Sequence, residues 1–235
     1  RAKVPGIQGI FQMQSGCLVY TSTQVIRYTD DGLAHPLAVS APINTVSIVS
    51  DEIMVGEESV VHRFSLDGKH IATHQLSPGV TAVSQMKTEL SSAPILMVGF
   101  EEGSVEFLST TQSTQQENVQ SVHHGSAQVS KIVPVAGGLV AIGYANGEVG
   151  LWDMTTRRRL DTIRMRGSIR HLVAQSKHLY AATDLGQAFK WDVGIFQLEQ
   201  CTFIREVWSD IPVVWSDGQA IEAAPPVDHP CYLAQ

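Results

Sequence analysis

Short segments of alternating apolar and polar residues recur along the chain, and each is interrupted by a polar or glycine-containing turn. They include GCLVYTSTQVIRYT (16–29), DEIMVGEESVVHRFS (51–65), PILMVGFEEGSVEFLS (94–109), GLVAIGYANGEVGLWD (138–153) and HLYAATDLGQAFKWD (178–192). Alternation with a period of two predicts strands, and two such runs around a tight turn predict a hairpin. Long stretches with apolar residues at three-and-four spacing are scarce, so the pattern predicts an all-β chain.

Set beneath one another, the segments align. Tyr28, Phe64, Leu108, Trp152 and Trp191 correspond, at intervals of about 40 residues, and three positions before them stand Val25, Val61, Val105, Val149 and Ala188. Gly103, Gly147 and Gly186 precede the last three of these small residues by two; Ser59 and Thr23 hold that place in the first two copies. Repeats of ~40–45 residues built from several short strands predict β-propeller blades, which bury their sheet faces only by stacking on one another. The boundaries fall near 5–41, 42–77, 78–122, 123–165 and 166–207, and 208–235 offers IPVVWS and QAIEAA as two further strands.

Two copies carry a family resemblance. GYANGEVGLWDMTTRRRLDTI (143–163) resembles the second half of a WD-repeat blade, with a hairpin at Gly147, the pair Trp152–Asp153, a polar turn and a returning outer strand. TDLGQAFKWD (183–192) repeats it with Gly186 and Trp191–Asp192, whereas the first three copies end in RYT, RFS and FLS. The Gly-His pair that opens many such repeats is absent, and HHG at 123–125 has those residues in reverse order. The resemblance implies a single β-propeller domain over 1–235 with five recognisable four-stranded blades and a partial sixth. Two completions stay open: a tail that pairs with the N-terminal segment, or a larger six- or seven-bladed ring completed by further blades or a partner. Trp152 and Trp191 are expected to fill interblade space, and Asp153 to cap a turn rather than act as an acid.

Composition changes this picture little. The 235 residues are 43% hydrophobic and 17% charged, as in an ordinary globular protein, and the net charge of −7 argues against a broad attraction to nucleic acid or to acidic membranes. No apolar run reaches the length of a spanning helix, so membrane insertion is not expected. Cys17, Cys201 and Cys231 are odd in number and far apart; the expectation is no disulfide framework, no metal site and a reducing compartment, cytoplasmic or nuclear.

Candidate chemistry is sparse. His62, His70 and His74 share one hairpin without metal-ligand spacing, no G-x-S-x-G elbow accompanies the Ser-Asp pairs of VWSDIPVVWSDG (207–218), and no glycine-rich loop leads into a helix. No catalytic, metal or cofactor residue is therefore assigned, and the chain is not expected to be an enzyme. The candidates for partner contact are Trp208 and Trp215, which a continuous strand would place on opposite faces, and the cationic run Arg157, Arg158, Arg159. The Ser/Thr/Gln-rich stretch 109–121 is expected to be an excursion suited to docking or phosphorylation, and 223–230, with three prolines, a rigid linker. The expected function is a non-catalytic scaffold binding other protein subunits; the alternatives are an RNA-associated assembly factor and a propeller enzyme with a site at the central channel.

Overall fold

A computed structural model describes residues 6–40, 42–49, 51–88, 91–109, 120–123, 127–216, 218–223, 227 and 229–232. Five antiparallel sheets follow one another in sequence order, each wound from consecutive strands. The first sheet holds β1 (Gly9–Gln12), β2 (Cys17–Tyr20), β3 (Val25–Tyr28) and β4 (Ala34–Pro36). The second holds β5 (Thr45–Val49), β6 (Glu52–Gly56), β7 (Val60–Ser65) and β8 (His70–Gln75). The third is built from β9 (Val80–Thr88), β10 (Ser91–Phe100), β11 (Ser104–Ser109) and β12 (Gln120–His123), the fourth from β13 (Val129–Val135), β14 (Leu139–Tyr144), β15 (Glu148–Asp153) and β16 (Arg158–Arg164). The fifth has three strands, β17 (Ile169–Gln175), β18 (His178–Thr183) and β19 (Ala188–Asp192). Beyond it lie a 3-10 turn at Gly194–Gln197, the helix α1 (Gln200–Asp210) and a hairpin of β20 (Val213–Ser216) with β21 (Gln219–Glu222). The architecture is a β-propeller of five blades.

Four apolar clusters join successive blades, and the aligned residues explain how. Val25 is buried in the cluster between the first and second blades, Val61 in that between the second and third, Val105 in the next and Val149 in the last. Each thus faces the blade that follows. Phe64, Trp152 and Trp191 belong to the cluster with the blade before. A separation of three residues along a strand puts two side chains on opposite faces, so one short motif serves both junctions of its blade.

Glycines let the blades approach closely. A Cβ on Gly56 would meet Val80 Cγ1 at 2.9 Å, one on Gly99 would meet Val129 Cγ1 at 2.4 Å, and one on Gly143 would meet Ile169 Cγ2 at 2.8 Å. In each case the intruding residue begins the first strand of the next blade and is fully buried. The turn that opens β15 depends on glycine for another reason: Gly147 has φ +84° and donates its N–H to the Tyr144 carbonyl at 3.1 Å, and a Cβ there would lie 2.2 Å from the Met165 carbonyl oxygen. Gly103 and Gly186 close their hairpins with the same bond, to Phe100 and Thr183.

The tail differs from expectation. Residues 200–210, expected in strand and connection, are helical, and among the described residues the fifth blade has no fourth strand. The cysteine expectation is corrected as well: Cys201 and Cys231 form a disulfide, their Cα atoms 4.8 Å apart, because the chain returns past α1 after the β20–β21 hairpin. Cys17 alone of the three is free, and half-buried. With that pairing, the cysteines no longer favour a reducing compartment.

Two outcomes follow for unfolding in denaturant. Trp152→Ala removes the ring shared by the third and fourth blades and is expected to cost ~3–5 kcal/mol. Gly143→Ala forces a methyl against Ile169 and is expected to cost ~1–3 kcal/mol, the range for overpacking a core.

Candidate interaction surface

The fifth blade presents the same two faces as the fourth, but among the described residues only one of them is covered. Strand register places Val173, Tyr180 and Lys190 in one row across the sheet, and His171, Ala182 and Ala188 in the next. The matching rows of the fourth blade are Val133, Ala141 and Leu151, and Lys131, Gly143 and Val149. There, Ala141, Leu151 and Val149 are fully buried against the fifth blade. Here, Val173 is 55% exposed and Tyr180 38%. Three of the six residues of β7 and four of the six of β15 are buried, whereas in β19 only Trp191 is.

The substitutions at these places are physically consistent with that exposure. Tyr180 stands where Ala141 does, Lys190 where Leu151 does, and Ala182 replaces the glycine that admits a neighbouring blade. The face forms an open apolar hollow of about 380 Å³, rimmed by His171 and Lys190. The Lys190 ammonium lies 6.0 Å from the centre of the Tyr180 ring, the outer reach of a cation–π contact. Nearby cations are paired: Arg170 with Asp184 at 3.8 Å, and Lys177 with Asp192 at 3.7 Å.

The residues singled out in the sequence occupy varied places. Asp153 accepts from the Thr155 N–H at 2.8 Å and from the Thr156 hydroxyl at 2.7 Å, which turns the chain back into β16. Partial burial pushes the Asp153 carboxyl up, but the hydrogen bonds from Thr156 and Thr155 outweigh it and hold the group below the usual carboxylate range. Asp192 accepts from the Gly194 N–H at 2.9 Å, and that bond, with Lys177 and His178 nearby, lowers its pKa. Gly186 is at φ +77° with open space around it.

The arginine run is divided. Arg157 sits at φ 56° in the turn, Arg158 opposite Asp153 in the register, and Arg159 pairs with Glu148 at 3.1 Å. Trp208 lies on α1, half-buried, its ring edge-on to His229 at 5.0 Å, while Trp215 belongs to β20. No continuous strand runs through both: the end of α1 and Pro212 separate them. Residues 110–119, 124–126, 224–226 and 228 lie outside the described residues, and with them most of the excursion, the last two residues of the HHG triplet and half of the proline segment.

Chemical clusters elsewhere are structural. His62 Nδ1 and His70 Nε2 both contact the Thr73 hydroxyl, at 3.0 and 2.8 Å, and burial lowers the pKa of His74. Arg63 is buried and satisfied by two bonds of 2.8 Å to Glu52. Among the described residues, no group of three or more His, Cys, Asp or Glu side chains is placed to hold a metal ion, and no helix is long and apolar enough to cross a membrane.

Neither a protein-family model nor a curated protein matches the sequence. Solved structures match the fold. A chain of the mitotic checkpoint complex aligns with a TM-score of 0.64 and 13% identity, covering 83% of this chain and 70% of that one. Sqt1 of Saccharomyces cerevisiae gives 0.62 and 13%, covering 82% of this chain, which spans 60% of Sqt1. The computationally designed Ika4 protein gives 0.52 and 17%, over 67% of this chain and 96% of the design. The fold shared with these structures is a β-propeller.

Asp153→Ala tests the turn. The folded carboxyl titrates below its unfolded value of about 3.9, so its contribution is complete above that pH and disappears as the pH falls through the folded value. The expected difference in unfolding free energy between wild type and Asp153→Ala is about 1 kcal/mol at neutral pH, vanishing in acid.

Proposed function

We propose that the protein is a non-catalytic scaffold that holds other protein subunits on its propeller. The observation that carries this reading is the fifth blade's uncovered face, where Val173 and Tyr180 stand exposed around an open apolar hollow in positions that the fourth blade buries. Exposed aromatic and aliphatic side chains clustered in one patch are what protein interfaces use as anchors. One of the propellers sharing the fold belongs to a multi-protein checkpoint complex, which agrees with a role of this kind. The acidic overall charge and the engagement of Arg159 by Glu148 favour protein over nucleic acid as the partner.

Purification of the tagged full-length protein from its native source is expected to yield stoichiometric protein partners. Their retention by the triple variant Arg157→Ala, Arg158→Ala, Arg159→Ala, with RNA binding no stronger than background, supports the reading. A protein that runs alone while turning over a small molecule contradicts it.

A further inference from the structure

Among the described residues, the fifth blade lacks a fourth strand as well as a neighbour on one face. In the first four blades the third strand is flanked on its outer side by a fourth, β4, β8, β12 or β16. After β19 the chain takes another course. Asp153 bonds the backbone of Thr155 and Thr156 and sends the chain back as β16, but Asp192 bonds Gly194, and the Val193 N–H donates to the Lys177 carbonyl at 2.8 Å, leading into the 3-10 turn and α1. Among the described residues no strand pairs with the outer side of β19.

Which groups that edge offers follows from the register. Thr183 and Gln187 are hydrogen-bonded partners, and so are Val193 and Lys177. Antiparallel pairs alternate, so the backbone groups of Ala188, Lys190 and Asp192 point away from β18 toward the free edge. In the fourth blade the matching residues, Val149 and Leu151, stand opposite Ile163 and Asp161 of β16. An unpaired edge of this kind is a template for a strand from another chain.

We propose that β19 accepts an extended segment of a partner protein as its fourth strand, with an acidic side chain opposite Lys190 and an apolar one beside Phe189. The chemistry comes from the two faces of β19. On the uncovered face Lys190 has, among the described residues, no carboxylate partner, whereas Arg170 and Lys177 have theirs. On the opposite face Phe189, in the row of Ala181 and Leu172, is left 43% exposed where a fourth strand would shield it. The uncovered face itself does not match a blade-on-blade junction, because Ala182 fills the space that glycine leaves open at Gly143. The inference rests on the scaffold reading and names its docking site.

A synthetic peptide that copies β16 supplies the probe: residues 157–165 carrying the change Thr162→Leu. In the register of the fourth blade its Asp161 would stand opposite Lys190, the leucine introduced at position 162 opposite Phe189, and its Ile163 opposite Ala188. Titrated into the full chain, it is expected to bind saturably and to slow exchange of the Ala188 and Lys190 amides. Lys190→Glu should weaken binding by about tenfold or more, and Asp161→Lys in the peptide should restore it, which loss of folding would not allow. Absence of binding, binding indifferent to Lys190→Glu, or Ala188 and Lys190 amides already as slow as those of Val149 and Leu151 in the free chain overturns the proposal. Native partners that stay bound to Lys190→Glu also overturn it while leaving the scaffold reading intact.

Discussion

The structure depends on the contact between successive blades. A four-stranded sheet has two apolar faces and cannot bury either alone; each must be covered by another sheet. In this chain the requirement is met by the third strand, where Val61 and Phe64, or Val149 and Trp152, point in opposite directions and enter different clusters. Gly56, Gly99 and Gly143 bring the next blade's first strand close enough for those clusters to be dense. Tight turns such as that at Gly147 hold the register so that the alternation stays in phase with the neighbours.

Because that logic is local and periodic, much of it could be read in the sequence. Tyr28, Phe64, Leu108, Trp152 and Trp191 lie in the third strand of successive sheets, as their spacing implies, and Asp153 serves a turn. The rest was carried by relations that spacing does not encode. Cys201 and Cys231 meet only through the path of the tail, and α1 packs none of its residues into a core, so no clean apolar face marked it as a helix. Nothing in the spacing distinguishes the glycines at 56, 99 and 143, and only the approach of Val80, Val129 and Ile169 shows why a side chain is excluded there. The exposed face was hidden for a similar reason: Tyr180, Ala182 and Lys190 fit a strand as well as any residues do, and their meaning emerges from comparison with Ala141, Gly143 and Leu151 across the register.

The fifth blade is thus where the repeat stops following its own rule. Its inner face is built like the others, with Leu172, Leu179 and Trp191 packed on the fourth blade. Its outer face combines an apolar floor with an ammonium and an imidazole, and among the described residues no strand pairs with the outer side of its last strand. An apolar floor supplies affinity, while a charge and a fixed hydrogen-bonding edge supply register and selectivity. Neither needs a catalytic group. The two exposed features lie on one sheet, so a single partner can satisfy both.

Covalent labelling of tyrosine, read residue by residue in the free protein and in its native complex, tests this account most directly. Tyr144, buried between the third and fourth blades, is expected to resist modification in both states. Tyr180 is expected to react in the free protein and to be protected in the complex. A Tyr180 that is already protected in the free protein, or that reacts equally in both, would contradict the claim that the fifth blade's open face is where the partner binds.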